Sequence, residues 1–413
     1  MMTTLHDHSP ARVIGRVEFV ALMAMLVATV AYSIDAMLPA LPQIGADLSP
    51  LDPNRAQLVV GSFLLGLGVG TFFVGSISDA YGRKPVLLFG AAIYSFGALV
   101  ALIAPSLETI VAARILQGLG AAAARIVAMA IIRDLYKGRD MAQLLSFVML
   151  VFTLVPAVAP MAGAAIMSLS SWRGIFVSFL IFAALTSLWM GLRLPEPLPP
   201  SRRVRFETRK LVNAVKEVFQ YPMVRLSMAV QTFCFAMLFA SISTIQPIMD
   251  ETFGRGEEFP YWFAVIAMVA ASGSVVNASL VMQLGMRRLI QMALLVETLL
   301  TCGVLILFWT GIAQQGGFAV YFLWQVTVFF QIGLTLGNLN ALALEPLGHI
   351  AGMAASITTG VATVASVILA VPIGLAFDGT PIPLLIGVAV FATLALALTQ
   401  PMRRLERVQT ATN

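Results

Sequence analysis

Apolar residues in this chain come in long unbroken runs, not in the alternation of a half-buried strand or the narrow stripe of a soluble helix. Residues 20–30 read VALMAMLVATV, without one charge. Runs of roughly 20 such residues can cross a hydrocarbon core about 30 Å thick as helix. They do not suit an outer-membrane barrel, whose strands alternate over about 10 residues. Charged or turn-rich breaks divide the chain into twelve predicted helices. The first six span 18–41, 57–78, 86–104, 110–132, 142–166 and 174–192; the second six span 223–247, 260–282, 289–311, 318–342, 353–376 and 383–402.

Composition agrees with this pattern. The chain has 413 residues, 59% hydrophobic and 11% charged, where a soluble domain carries about 25% charged residues. The predicted class is an all-α, multi-pass membrane protein whose solvent is the lipid bilayer. The charges orient it. With the N-terminus in the cytoplasm, 20 of the 25 basic residues fall on cytoplasmic segments. Only Arg55, Arg173 and Arg255 fall on the opposite side, and Arg114 and Arg125 lie inside helices. Such asymmetry places both termini in the cytoplasm. The net charge of +5 is therefore topological and implies no nucleic-acid partner. The short polar N-terminus shows no cleavage site after the first apolar run, so no cleaved signal peptide is expected.

The longest connection divides the chain into 1–192, a linker over 193–222, and 223–413. The linker opens on LPEPLPPSRR, a stiff spacer. It continues with Leu211, Val215, Val218 and Phe219 at helical spacing among Lys and Arg, a surface helix expected to lie against the membrane face. Two short basic turns, DAYGRKPVLLFGAA after helix 2 and QLGMRRLIQMALL after helix 8, hint at an internal repeat. Two related six-helix bundles around a midplane site are an architecture of secondary transporters.

Several stretches carry a resemblance. GSISDAYGRKPVLL (75–88) resembles the signature G-x-x-x-D-R-x-G-R-[RK] of the major facilitator superfamily, with Ala80 where arginine is common. ARILQGLGAAAARI (113–126) resembles its R-x-x-x-G motif, with Arg114, Gln117 and Gly118 in place. DAMLPALPQIGADL, SWRGIFV and HIAGMAASITTG are similar to proton-coupled drug exporters of the bicyclomycin/chloramphenicol-resistance type. LVPAVAPMAGAA (154–165) partly matches the antiporter motif, with Pro160 and Gly163 kept and Ala159 and Ala164 in place of glycines. The resemblance spans helix 1 to helix 12. It implies two pseudo-symmetric bundles, alternating access, and a cytoplasmic latch built on Gly75, Asp79, Gly82, Arg83 and Lys84, with Arg133 as the expected partner of Asp79. It places this protein in a bacterial cytoplasmic membrane as a monomer.

Charges inside hydrocarbon cost about 2.5–3.5 kcal/mol on insertion scales and face a partner or a wet cavity. Four stand out: Asp35, Arg114, Arg125 and Glu297. At about 1.5 Å per residue, Asp35 and Arg114 lie about 9 and 6 Å below the outer face and Arg125 about 22 Å. Asp35 and Arg114 are therefore the expected proton-coupling pair. Desolvation favours a neutral carboxyl and a nearby guanidinium favours a charged one. A carboxyl under both influences can exchange a proton for a drug. The alternative is that Asp35 caps a kink before Pro39 or pairs permanently with an arginine. The superfamily keeps helix 9 outside the cavity, so the resemblance implies a structural or interhelix role for Glu297.

The superfamily's cavity-lining helices carry Tyr32, Asp35, Gln57, Arg114, Gln117, Arg125, Gln231, Asn277, Gln331 and Asn338 as candidate substrate contacts. Cys234 and Cys302 sit in apolar runs without metal spacing. His6, His8 and His349 make no metal cluster. GLGVG (66–70) reads as helix packing. No G-x-x-x-x-G-K-[ST] is present, and no catalytic triad is visible, so neither an enzyme nor a cofactor is expected. The expected function is proton-gradient-driven efflux of small amphipathic drugs. The alternatives are export of one metabolite, such as an amino acid or sugar, or proton-coupled nutrient uptake.

Overall fold

The computed structural model describes residues 14–312 and 316–412. His6, His8 and Arg12 lie outside the described residues, as do the side chains of Arg403, Arg404 and Arg407. The described residues contain no strand. In chain order the helices are α1 (Arg16–Asp35), α2 (Leu41–Leu48), α3 (Leu58–Tyr81), α4 (Arg83–Leu102), α5 (Leu107–Leu135), α6 (Gly138–Leu169) and α7 (Trp172–Arg193). Then follow α8 (Thr208–Gln220), α9 (Pro222–Pro247), α10 (Phe259–Leu284), α11 (Met286–Trp309), α12 (Gly317–Leu344), α13 (Ala351–Leu375) and α14 (Ile382–Thr412). A helix covers each of the twelve expected spans; α8 is the expected linker helix, and α2 is additional.

Two boundaries differ from expectation. The first crossing, expected to run unbroken over 18–41, stops at Asp35. Pro39 has no N–H, and its ring would meet the carbonyl four residues back, which is that of Asp35. A 3-10 turn over Leu38–Ala40 and the short α2 carry the chain onward. At the other end α14 runs past 402 to Thr412, because no glycine or proline interrupts residues 402–412.

Glycines set the closest helix crossings. Gly66 and Gly70 of α3 lie on the backbone of α5 at Ile115 and Leu119, and Gly118 of α5 lies on α3 at Phe63 and Leu67. The GLGVG stretch is thus a packing seam. Gly90 and Gly97 of α4 meet α5 in the same way. Two further seams join the halves. Along α3 and α13, Gly61 faces Val371, Gly68 faces Thr363 and Val364, and Gly75 faces Ser356. Between α6 and α10, Ala157 packs with Ala264 and Ala267.

The linker helix α8 does not lie with its apolar side on lipid. Ala214 and Val218 are buried against Val224, Ala343, Leu347, Ala354 and Ile357, which cover the inner ends of α9, α12 and α13. Arg209, Val212, Lys216 and Phe219 form its exposed side.

Because a Cβ at Gly118 would overlap the α3 backbone, Gly118→Val is expected to cost about 1–3 kcal/mol or more. Thermal unfolding of the detergent-solubilised protein checks this, with Gly118→Ala falling between wild type and Gly118→Val.

Candidate functional site

The break after α1 organises the site. In an uninterrupted helix the Met37 N–H would bond the carbonyl of Ser33. Here it turns to Ile34 O at 3.3 Å, leaving Ser33 O without its helical partner in a region without bulk water. Arg114 supplies one: its Nη2 donates to Ser33 O at 2.7 Å. The same guanidinium donates from Nε to Val59 O at 3.1 Å and from Nη1 to Gln117 Oε1 at 3.1 Å. Its plane lies 4.4 Å from the centre of the Phe63 ring, and the residue is fully buried. A planar group with five donors is suited to such a task. Arg114 is therefore a side-chain cap that fastens α1 and α3 to α5. The Asp35–Arg114 ion pair expected from depth is absent, because the fork is already committed to two backbone carbonyls and the Gln117 amide oxygen.

Ser33 is held on a second side. Its Oγ lies 2.6 Å from Tyr94 Oη on α4 and donates to Thr29 O at 2.6 Å. On α6, Gly163 lies directly against the backbone of Ala36. This is the packing role of the antiporter-motif glycine here: α6 can touch the chain just past Asp35. Pro160 lies within α6 one turn earlier, and the helix continues through it. Asp35 itself is 4% exposed. Among the described residues its carboxyl has neither an ion-pair partner nor a hydrogen-bond donor.

The other expected cavity residues divide. Arg125 is half-buried on α5 with no hydrogen-bond or ion-pair partner among the described residues. Gln117 is bound to Arg114, with its Nε2 unpartnered. Tyr32 turns toward α7, where its hydroxyl meets Ser178 Oγ at 2.8 Å and its ring packs on Phe179 and Phe182. Gln57 lies just before α3, against Gly374 of α13. The amides of the second half mostly tie helices to one another. Gln231 donates to Asn340 at 3.1 Å and Asn338 to Asn277 at 2.6 Å. Gln331 accepts from Thr335 at 3.2 Å, and its Nε2 is free. Glu297 takes the interhelix place expected of it: Thr301 donates to its carboxylate at 3.1 Å, and Trp324 of α12 donates to Thr301 at 2.9 Å.

Around the Gly82 turn, the residues of the expected latch converge with a different pairing. Arg83 donates to Asp79 at 2.6 Å, to Asp134 at 2.7 Å and to Ser78 at 2.7 Å. Arg133, the expected partner of Asp79, instead turns its Nε to Met129 O. Arg83 stands four residues from Asp79 around the Gly82 turn, so it reaches first. Gly82 has φ 103°, a conformation that strains any side-chain-bearing residue. The linker closes over this turn. Glu196 accepts from the backbone N–H groups of Arg83 and Lys84, both at 2.9 Å, at the start of α4, where a carboxylate also meets the positive end of the helix. Lys84 Nζ donates to Gly191 O, and Val204 N to Asp79 O. Gly75, Asp79, Arg83, Arg133 and Asp134 share a cavity of about 150 Å³ with Leu211 of α8 and Met353 of α13.

Sequence reasoning missed Ser33, Tyr94, Asp134 and Glu196. A signal existed for Glu196, a lone carboxylate between the prolines of LPEPLPP just before the basic run. For Ser33 and Tyr94 there was none, since a buried hydroxyl looks like any other until its partner is known. Arg114→Lys keeps the charge but loses the fork, and is expected to cost about 2–4 kcal/mol. Tyr94→Phe removes one hydroxyl and is expected to cost about 1 kcal/mol. Thermal unfolding in detergent ranks the two.

Comparison with known proteins places this arrangement. Residues 20–370 match the family model of the Major Facilitator Superfamily. An uncharacterized MFS-type transporter, YdgK, of Bacillus subtilis is 29% identical, covering 83% of this chain and 85% of the relative. The multidrug resistance protein MdtL of Salmonella heidelberg is 28% identical over 90% and 92% of the two chains. A bicyclomycin resistance protein homolog of Haemophilus influenzae is 25% identical over 82% and 84%. Among solved structures, a D-xylose-proton symporter superposes with a TM-score of 0.76 at 15% identity, covering 93% of this chain and 97% of that one. The partially occluded, inward-open xylose transporter XylE from E. coli gives 0.72 at 13% identity, with the same coverage. This multi-pass, all-α membrane chain belongs to the major facilitator superfamily.

Proposed function

We propose that this protein exports small amphipathic compounds, several drugs among them, from the bacterial cytoplasm in exchange for protons. In this reading it works as a monomer in the cytoplasmic membrane with both termini inside. Two six-helix bundles, 1–192 and 223–413, rock about the seams between them, and residues 193–222 tether their inner faces. The names of the MdtL and bicyclomycin-resistance relatives support drug export. No cofactor is invoked beyond the proton gradient.

One observation carries the coupling: Asp35 is a buried carboxyl at a helix break to which the protein gives no partner. A charged group left so in low dielectric is costly unless something pairs with it. Two visitors meet that need, a proton or the cationic or hydrogen-bond-donating end of a substrate. If one site serves both, the arrival of a proton releases the substrate. Arg114, held by three acceptors, keeps the turn carrying Asp35 in place and is not consumed as its counter-ion. Arg125, deeper and without a partner, offers donors to a carbonyl, nitro or acidic group of the same substrate.

The test is flux in proteoliposomes under an imposed pH gradient, with ethidium and chloramphenicol as substrates. Asp35→Asn is expected to lower proton-driven flux more than tenfold while ethidium binding persists. Arg125→Met is expected to affect chloramphenicol more than ethidium. Wild-type flux in Asp35→Asn overturns the assignment of Asp35. Gradient-independent movement of both compounds by the wild type overturns the exchange itself.

A further inference from the structure

At the outer face the halves are joined by polar groups that none of the roles above uses. The 3-10 turn Pro53–Gln57, between α2 and α3, packs on the end of α13 in the opposite half. Helix α13 stops at Leu375, and the last carbonyls of a helix have no partner within it. Asn54 Nδ2 donates to Phe377 O at 2.6 Å and reaches Leu375 O at 3.4 Å. The receiving loop is itself anchored, since Thr252 donates to Gly379 O at 2.7 Å. A cap for the α13 terminus is thus supplied by the other half of the molecule.

Three residues on, Gln57 is 6% exposed and neither amide atom has a partner. Its Oε1 lies against Gly374, where a Cβ would collide with it. The same short turn therefore carries two amides of opposite consequence. The Asn54 amide gains partners only while the halves touch. That of Gln57 loses water only while they touch, and a buried polar group left unpaired is penalised.

We propose that Asn54 and Gln57 are the outer gate of this transporter: Asn54 latches the closed mouth by capping α13 across the seam, and Gln57 opposes closure. Opening the mouth gives both amides and both carbonyls to water. The opposed contributions hold the closed and open states close in free energy, as a cycle between them requires. The proposal rests on the alternating-access reading, but its test needs neither substrate nor gradient.

Spin labels at Leu51→Cys and Tyr261→Cys, exposed outer positions in the two halves, report the separation of the outer ends by electron–electron distance measurement. The background carries Cys302→Ser, because Cys302 is exposed and Cys234 buried. Asn54→Ala is expected to raise the ratio of long to short distances about tenfold, equivalent to about 1.4 kcal/mol. Asn54→Asp is expected to raise it at least as much, since a carboxylate faces the negative end of α13. Gln57→Met, similar in size and apolar, is expected to lower the ratio about tenfold. A damaged fold cannot produce shifts of opposite sign, and Gln57→Met decides alone if the Asn54 variants do not fold. An unchanged or raised ratio in Gln57→Met, or an unchanged ratio in Asn54→Asp, overturns the gate. Shifted ratios with no proton-driven flux in the wild type leave the gate standing and overturn the export reading.

Discussion

A backbone carbonyl that cannot be left bare governs this structure. Pro39 ends α1 inside the apolar bundle, where no bulk water replaces the lost helical bond. The carbonyl of Ser33 then needs a donor, and Arg114 reaches it from α5 while also binding Val59 O. Once Arg114 is spent in this way it no longer neutralises Asp35. The carboxyl stays buried at the end of a fastened helix, without a hydrogen-bond or ion-pair partner among the described residues. A break required by proline, a rivet required by the break, and a free acid left by the rivet are consequences of one constraint.

The same rule divides the polar groups by half. In the second half, amides bond across helices: Gln231 to Asn340 and Asn338 to Asn277. In the first half Arg114 does the tying, while Asp35 and Arg125 have no hydrogen-bond or ion-pair partner among the described residues. Without a hydrophobic drive between helices in lipid, close contact depends on small residues and shared hydrogen bonds. Gly66, Gly118 and Gly163 provide the approach. The hydroxyl and amide pairs then fix which faces meet.

The two ends of the bundle are joined by different chemistry. At one end Asp79, Arg83 and Asp134 form a charged network around the Gly82 turn, with Glu196 of the linker bound to the start of α4. Helix α8 then rests on the other half, so the linker is attached at both ends. At the other end a neutral amide, that of Asn54, binds the loop just past α13.

The twelve crossings, their order and the amphipathic linker helix were legible in the sequence, because hydrocarbon demands long apolar runs whatever packs beside them. The glycine turn at Gly82 and the packing use of GLGVG were legible too, because only glycine permits those backbones. Asp35 could be singled out by its cost alone. What it faces could not. Depth placed Asp35 and Arg114 at similar levels, but a count along the chain carries no information about rotation around a helix. Tertiary structure turned Arg114 to a carbonyl, Arg83 rather than Arg133 to Asp79, and Gln57 to the outer seam. Sequence determined which groups must be satisfied; the packing of helices decided by whom, because hydrogen bonds form over about 3 Å and only the folded chain sets distances that short.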